Sequence, residues 1–207
     1  MGRFVGIDVG TSGTKAIVID ESGNVLKTAR REYELNAPQP GWAEQNPTDW
    51  WQASQECLDE LCADDCDAIG LTGQMHGSVF LNGEGEVVHP ALLWCDQRTA
   101  AECEQIDEAV GAARLREITG NPPLTGFQLP KILWLRNHHP ELFSQVKHVL
   151  LPKDFIGFKL TGELKTEVSD ASGVGALDLQ ARDWSVEVLE PLGPVSYTHL
   201  TLPSKIV

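Results

Sequence analysis

Basic side chains are scarce in this chain of 207 residues, which has 16 Lys and Arg residues against 30 Asp and Glu residues. The formal net charge is therefore −14 at pH 7. A surface of this sign repels the phosphates of nucleic acids and of anionic lipids, which argues against polyanionic partners. A small anionic ligand is still compatible with this charge, because it needs only a few backbone N–H groups, one local cation and a metal ion.

Long apolar stretches and paired cysteines are also missing. No run of 18 apolar residues occurs in the sequence, which argues against a membrane span or a membrane partner. The five cysteines are odd in number and form no C-x-x-C pair, so we interpret them as reduced thiols of a cytoplasmic protein. For Cys57, Cys62 and Cys66, which stand at helical spacings, we favour buried or helix-edge thiols over a metal site.

Branched apolar residues predict three strands at the start of the chain, over residues 4–9, 14–19 and 25–31. The connections between them are too short for a parallel crossover, so neighbouring strands must be antiparallel. Further along, the pattern predicts an α/β alternation. We expect a helix over 48–64 capped by Thr48, a buried strand over 68–72, a strand over 78–81, a hairpin turn over 82–85, helices over 98–109, 112–119, 129–137, 140–145 and 152–160, and a strand over 146–150.

The strongest local motif is the glycine-rich stretch over residues 6–15, at the tip of the first hairpin. Successive backbone N–H groups at such a tip can hold phosphate oxygens, and glycines allow a close approach. Asp8 alone would be typical of a ligand-free turn, but a carboxylate beside phosphates implies an intervening Mg²⁺. We therefore predict that Asp8 is a catalytic and metal-binding residue, and that the phosphate-binding residues are Gly10, Thr11, Ser12, Gly13, Thr14 and Lys15.

This stretch resembles the first phosphate motif of the superfamily of sugar kinases, actin and heat-shock chaperones. Within it, the chain is similar to the FGGY carbohydrate kinases, above all to their xylulose-phosphorylating branch, from Phe4 to about Leu189. The supporting blocks are residues 42–47 with Trp50 and Trp51, 73–77, 93–98, 119–121, 130–134, 150–154 and 169–173. The resemblance implies a ribonuclease H-like, actin-like ATPase domain, with ATP and Mg²⁺ as cofactors and a homodimer as the assembled enzyme.

Residues 73–77 follow a predicted strand, and ligands dock at such strand ends in α/β proteins. His76 can select sugar hydroxyls through hydrogen bonds, while Met75 offers an adaptable apolar wall. A lone histidine after a strand is more often a structural group. The resemblance instead implies that Met75 and His76 contact a ketopentose, D-xylulose.

A carboxylate and a guanidinium follow in the block 93–98. Asp96 and Arg98 are predicted to orient the same sugar pocket as an ion pair, although a plain surface salt bridge explains them equally well. Asn121 and Lys131 are weaker candidates of the same kind.

The resemblance also predicts what this chain lacks. The family's general base is an Asp downstream of residue 207, so we expect residues 1–194 to be a truncated amino-terminal FGGY kinase domain that is inactive alone. Residues 195–207 resemble a translated sequencing adapter and are expected to be a non-native tail. The expected reaction is ATP-dependent phosphorylation of D-xylulose to D-xylulose 5-phosphate. The alternatives are another FGGY substrate (a different ketose, a polyol or gluconate) and a non-catalytic actin-like module that binds sugar.

Overall fold

The computed structural model describes residues 2–193, and its first sheet has the strand order β3-β2-β1-β5. Strands β1 (Arg3–Val9), β2 (Gly13–Asp20) and β3 (Val25–Glu32) form an antiparallel meander. The three opening strands and their antiparallel pairing are thus confirmed. The boundary expected at residue 194 and the segment 195–207 lie outside the described residues.

Strand β5 (Ala68–Gly73) pairs in parallel with β1 and forms an edge of this sheet. The sequence predicts a buried strand here, and that prediction is wrong. Ile69 is 38% exposed, and Ala68 and Gly70 are exposed as well. A short apolar run indicates a strand but does not say whether either face of that strand is covered.

Helix α1 (Pro47–Leu61) covers one face of the first sheet. Its buried residues Trp50, Ser54, Cys57 and Leu61 recur at intervals of three and four, which places them on one side of the helix. The predicted cap is wrong by two residues, because the Asn46 side chain accepts the hydrogen bond from the backbone N–H of Thr48.

The same helix also ends earlier than the sequence predicts. Cys62 has a φ of 52°, a left-handed conformation that stops the helix before residue 64. A short 3₁₀ segment, Ala63–Asp65, follows.

A second sheet has the order β4-β7-β6-β8, with every neighbouring pair antiparallel. Its strands are β4 (Glu44–Gln45), β6 (Ser78–Leu81), β7 (Val87–Leu92) and β8 (His148–Leu150). The hairpin turn predicted over 82–85 joins β6 to β7, and the backbone N–H of Gly85 donates to the Asn82 carbonyl at 3.2 Å. Strands β4 and β7 have no counterpart in the sequence prediction.

Five later helices lie within two residues of their predicted bounds: α2 (Ala100–Val110), α3 (Ala112–Thr119), α4 (Gln128–His138), α5 (Pro140–Phe143) and α6 (Pro152–Thr161). The elements after them have no counterpart in the sequence prediction: α7 (Val168–Ala171), β9 (Leu177–Asp178), β10 (Asp183–Trp184), α8 (Val186–Leu189) and 3₁₀ segments at Ser172–Val174 and Glu190–Leu192. Helix α4 is buried on all sides from Gln128 to Leu135. No helix among the described residues is both long enough and apolar enough to cross a bilayer.

Candidate functional site

Three connections meet where the two sheets adjoin: the β1–β2 tip (residues 10–12), the β5–β6 turn (residues 74–77) and the segment that follows β7 (residues 93–98). The tip is held tightly. The backbone N–H of Gly10 donates to the Gly13 carbonyl at 3.1 Å, and the Tyr33 hydroxyl donates to the Gly10 carbonyl at 2.6 Å. A Cβ at Gly13 would collide with the Arg31 carbonyl oxygen on β3, so this close strand approach requires glycine.

Burial of Tyr33 raises the pKa of its hydroxyl to about 12. The hydroxyl therefore stays protonated and keeps donating to Gly10 throughout the physiological range.

Asp8 and Lys15 are opposite each other in the β1–β2 register, so both side chains point to the same face of the sheet. Both are exposed, and both line an open cavity of about 900 Å³ whose lining also includes Glu60 of α1. Within residues 2–193, neither side chain takes part in an ion pair, which leaves a carboxylate and an ammonium free for a ligand.

The other predicted phosphate-binding side chains differ in their access to this face. Ser12 is exposed at the tip. Thr14 is fully buried beneath the sheet, with its Oγ1 3.5 Å from the Tyr33 hydroxyl. Because Thr14 as a whole is 0% exposed, its part in phosphate binding stays a prediction.

Thr11 connects the tip to the β5–β6 turn. Its Oγ1 donates to Gln74 Oε1 at 3.2 Å and accepts from Trp94 Nε1 at 3.0 Å. The backbone of the turn is attached as well, because Gln74 N–H donates to the Val9 carbonyl at 2.8 Å. The residues lining the 900 Å³ cavity do not include Met75 or His76. Hydrogen bonds therefore join the tip to the turn, and the cavity lined by Asp8 and Lys15 does not extend to Met75 or His76.

The Met75–His76 turn has an unusual backbone. His76 has a φ of 63°, in the left-handed region that non-glycine residues rarely adopt. Its Nδ1 lies 3.1 Å from the Gly173 carbonyl oxygen, and its ring meets the edge of Phe127 at a centroid distance of 4.8 Å. Burial lowers the pKa of His76, which favours the neutral ring. Met75 is 58% exposed beside it.

Trp94 is a site residue that the sequence analysis did not single out. Its indole is 49% exposed although its N–H is bound to Thr11. An indole face that is fixed at its N–H and open to solvent can stack against the apolar face of a sugar. The only signal in the sequence is its place within the block 93–98.

Asp96 and Arg98 are not a surface salt bridge, and that interpretation is wrong. Their side chains are 0% and 1% exposed. The guanidinium Nη2 lies 2.7 Å from Asp96 Oδ2 and its Nε lies 2.9 Å from Oδ1, a two-pronged pair. Arg98 also contacts Glu44 at 2.8 Å and stacks 3.6 Å from the Trp42 ring centroid.

The buried pair of Asp96 and Arg98 links two segments of the chain. Asp96 Oδ2 also accepts from the backbone N–H of Ala43 at 2.6 Å, which joins the segment after β7 to the chain before β4. Because these polar atoms are engaged within the protein, contact of Asp96 and Arg98 with a sugar stays a prediction.

The two weaker candidates, Asn121 and Lys131, differ in their position relative to the site. Asn121 is engaged locally at the end of α3, where its Nδ2 donates to the Thr119 carbonyl at 3.3 Å. Lys131 is brought to the site, since its Nζ donates to the His76 carbonyl at 2.8 Å.

Two more carboxylates lie near the end of β5. Lys153 Nζ is 2.5 Å from Asp154 Oδ1 and 3.2 Å from Asp170 Oδ2. Burial raises the pKa of both Asp154 and Asp170, while the Lys153 ammonium opposes this shift. Both carboxylates share one lysine, so neither is a free base.

The donor set for a metal is small. In residues 2–193, no group of three or more His, Cys, Asp or Glu side chains is arranged to hold a metal ion, and Cys57, Cys62 and Cys66 are free thiols. Mg²⁺, however, is commonly held by one or two carboxylates together with substrate phosphates and water. The single unpaired carboxylate of Asp8 fits that mode of binding.

Comparison with known proteins shows which family has this architecture. A model of the amino-terminal domain of the FGGY family of carbohydrate kinases matches residues 3–204. The chain belongs to the FGGY family. The match to the FGGY model extends into the segment 195–207, whose origin stays a prediction.

Among FGGY proteins, the chain is 43% identical over 190 residues to a xylulose kinase from Klebsiella pneumoniae, covering 90% of this chain and 39% of that protein. A solved structure described as a xyloylose kinase from Brucella ovis superposes with a TM-score of 0.91 at 37% identity, over 97% of this chain and 43% of that one. A gluconate kinase from Lactobacillus acidophilus superposes with a TM-score of 0.91 at 29% identity, over 98% and 42%. The predicted actin-like α/β fold of FGGY kinases is thereby confirmed.

Proposed function

We propose that this chain forms the amino-terminal part of an ATP-dependent sugar kinase that phosphorylates D-xylulose to D-xylulose 5-phosphate. The observation that carries the proposal is the hydrogen bond between Thr11 and Gln74, which puts a glycine-rich phosphate tip beside a turn that carries an exposed methionine and a neutral histidine. Phosphoryl transfer needs a nucleotide subsite and an acceptor subsite in such proximity.

On the nucleotide side, the tip would receive the phosphates of ATP. Exposed Lys15 supplies a positive charge near the phosphates, and Asp8 would hold Mg²⁺. When bound, Mg²⁺ neutralises charge on the phosphate oxygens. Tyr33 keeps the tip in shape through its hydrogen bond to Gly10.

In the sugar subsite, the Met75–His76 turn and Trp94 would line the space for the acceptor. The His76 ring is held by the Gly173 carbonyl, and its second ring nitrogen, which makes no hydrogen bond within residues 2–193, can bind a hydroxyl. Met75 and Trp94 offer apolar contact to the carbon face of the sugar. Identity of 43% to a protein named xylulose kinase supports D-xylulose as that sugar.

We assign no residue of this chain as the general base. Asp154 and Asp170 are paired with Lys153, and Asp8 is assigned to the metal. The chain spans about two fifths of the relatives that it matches. We therefore propose that the base comes from the portion of those relatives that this chain does not span, and that residues 1–207 alone do not turn over. The expected homodimer and cytoplasmic location are part of the same proposal.

A second candidate is a kinase of another FGGY substrate. The TM-score to a gluconate kinase equals that to the Brucella ovis protein, so the fold alone does not select the acceptor. The side chains around the turn favour the pentulose, as does the 43% identity to the Klebsiella pneumoniae xylulose kinase against 29% to the gluconate kinase.

A substrate panel tests the proposal. The product of the complete reading frame is incubated with ATP, Mg²⁺ and D-xylulose, D-ribulose, xylitol, glycerol or gluconate, and ADP release is measured against a sugar-free control. We expect the highest kcat/KM with D-xylulose. A higher kcat/KM with another acceptor would select the second candidate, and binding of sugar without ADP release would indicate a non-catalytic module.

A further inference from the structure

Lys131 is a buried lysine whose amine is bound by backbone carbonyls. Its side chain is fully buried in α4, and among residues 2–193 no carboxylate oxygen lies within ion-pair distance of its Nζ. The Nζ instead donates to two backbone carbonyls, those of His76 at 2.8 Å and Gly126 at 2.5 Å. Fully buried lysines are rare unless paired, so this arrangement is unfavourable for stability in itself.

The burial is reflected in the acid–base behaviour of this side chain. Desolvation lowers the pKa of Lys131 to about 7, against the opposing charge of Asp96. Both the ammonium and the neutral amine carry at least two N–H groups, so either form can serve both carbonyls.

The carbonyls held in this way belong to the turn with the unusual backbone. A left-handed non-glycine residue such as His76 persists only where its surroundings fix it. Gln128, one helical turn before Lys131, donates from Nε2 to the next carbonyl, Gly77, at 2.9 Å. Helix α4 thus binds two consecutive carbonyls of the turn.

The second carbonyl of Lys131 belongs to a different loop. Gly126 precedes Phe127, whose ring packs against His76. One ammonium therefore ties the backbone of His76 to the loop that supports the His76 ring.

We propose that Lys131 is a positioning residue, which holds the Met75–His76 turn in the left-handed geometry that presents both side chains to the sugar. The proposal rests on the proposed function, in which this turn is the sugar subsite. To that subsite the proposal adds a buried amine, which acts through backbone carbonyls and does not contact the substrate.

Lys131→Met in the product of the complete reading frame tests the proposal, because it keeps an unbranched side chain only one atom shorter and removes its donors. We expect the KM for D-xylulose to rise by about tenfold or more, with the KM for ATP changed by less than about twofold. The control is Leu133→Ala, a fully buried residue of α4 in the main core. It should lower the melting temperature and leave the sugar KM unchanged.

A crystal structure of each variant gives a readout that does not depend on the substrate. In Lys131→Met, His76 should leave the φ region near 63° or lose its contact with Gly173, whereas Leu133→Ala should keep both. An unmoved turn in Lys131→Met overturns the positioning role. A moved turn in a protein that phosphorylates none of the sugars upholds it and rejects the proposed function. If Lys131→Met does not fold, Lys131→Leu, which also lacks N–H donors, is compared with Leu133→Ala in the same way.

Discussion

Thr11 Oγ1 donates a hydrogen bond to Gln74 Oε1 at 3.2 Å across 63 positions of sequence. This contact joins the tip of the first hairpin to the turn between the two sheets. Because Thr11 also accepts from Trp94, a single hydroxyl touches all three parts of the site.

A double-mutant cycle measures the link between tip and turn. Thr11→Val and Gln74→Leu should show a coupling energy of about 0.5–1.5 kcal/mol in the free energy of unfolding. The control cycle pairs Thr11→Val with Gln52→Leu on the exposed surface of α1, and its effects should add. Additivity within about 0.3 kcal/mol in the first cycle as well would mean that the contact carries no energy.

Asp8→Asn in the product of the complete reading frame should abolish most turnover. We expect kcat to fall by about 10²-fold or more, since the charge that would hold Mg²⁺ is removed. Sugar affinity, measured by calorimetry without ATP, should stay within about twofold, because Asp8 lies outside the Met75–His76 turn. Glu21→Gln, at the far end of the same hairpin, serves as the control. A parental kcat in Asp8→Asn would remove Asp8 from the reaction.

The buried ion pair should matter for stability. Arg98→Met leaves the carboxylates of Asp96 and Glu44 buried without their cation, and we expect a loss of about 3–5 kcal/mol in the free energy of unfolding. Arg30→Met breaks an exposed pair with Glu32 and should change it by less than about 1 kcal/mol. Urea unfolding of both variants makes the comparison. Equal losses would contradict a structural role for the buried pair.

Stability should decrease on mild acidification. Burial holds the pKa values of His76 and His89 below their ordinary value of about 6.5. Between the folded and the unfolded pKa, the unfolded chain binds more protons, so stability is complete above pH 6.5 and falls as the pH drops below it. When both histidines are replaced with Gln, the urea midpoint should change less between pH 7.5 and pH 5.5 than it does in the parent. An unchanged slope would show that other groups dominate.

The sequence predicts the fold well where local rules suffice. Short connections fix the antiparallel meander of residues 3–32, and apolar periodicity locates α2 to α6 within two residues. It misses β4 because the pairing of β4 with β7 joins residues far apart in the chain. It misses β7, although the turn before this strand is predicted, because Pro90 interrupts the short apolar run. It misjudges the burial of β5, since the packing around a strand is decided by tertiary contacts.

The candidate site is predictable in part. The glycine-rich motif predicts Asp8 and Lys15, and the register of β1 and β2 then puts these two side chains on one face. The Met75–His76 pair is predicted only through the resemblance to FGGY kinases. The contact between Trp94 and Thr11 spans 83 positions, and no local pattern encodes it. The burial of Arg98 is not predictable from the sequence either. An arginine near an aspartate gives the same sequence pattern whether its side chain is exposed or stacked on Trp42.

Gly173 leaves no room for a side chain, because a Cβ there would run into the His76 ring. In the proposed function, the size of the acceptor subsite would therefore depend in part on a residue 97 positions away that contributes no side chain. Alanine at 173 would displace the imidazole. If the turn binds the sugar as we propose, this substitution would change acceptor preference while every polar group of the subsite stays chemically unchanged.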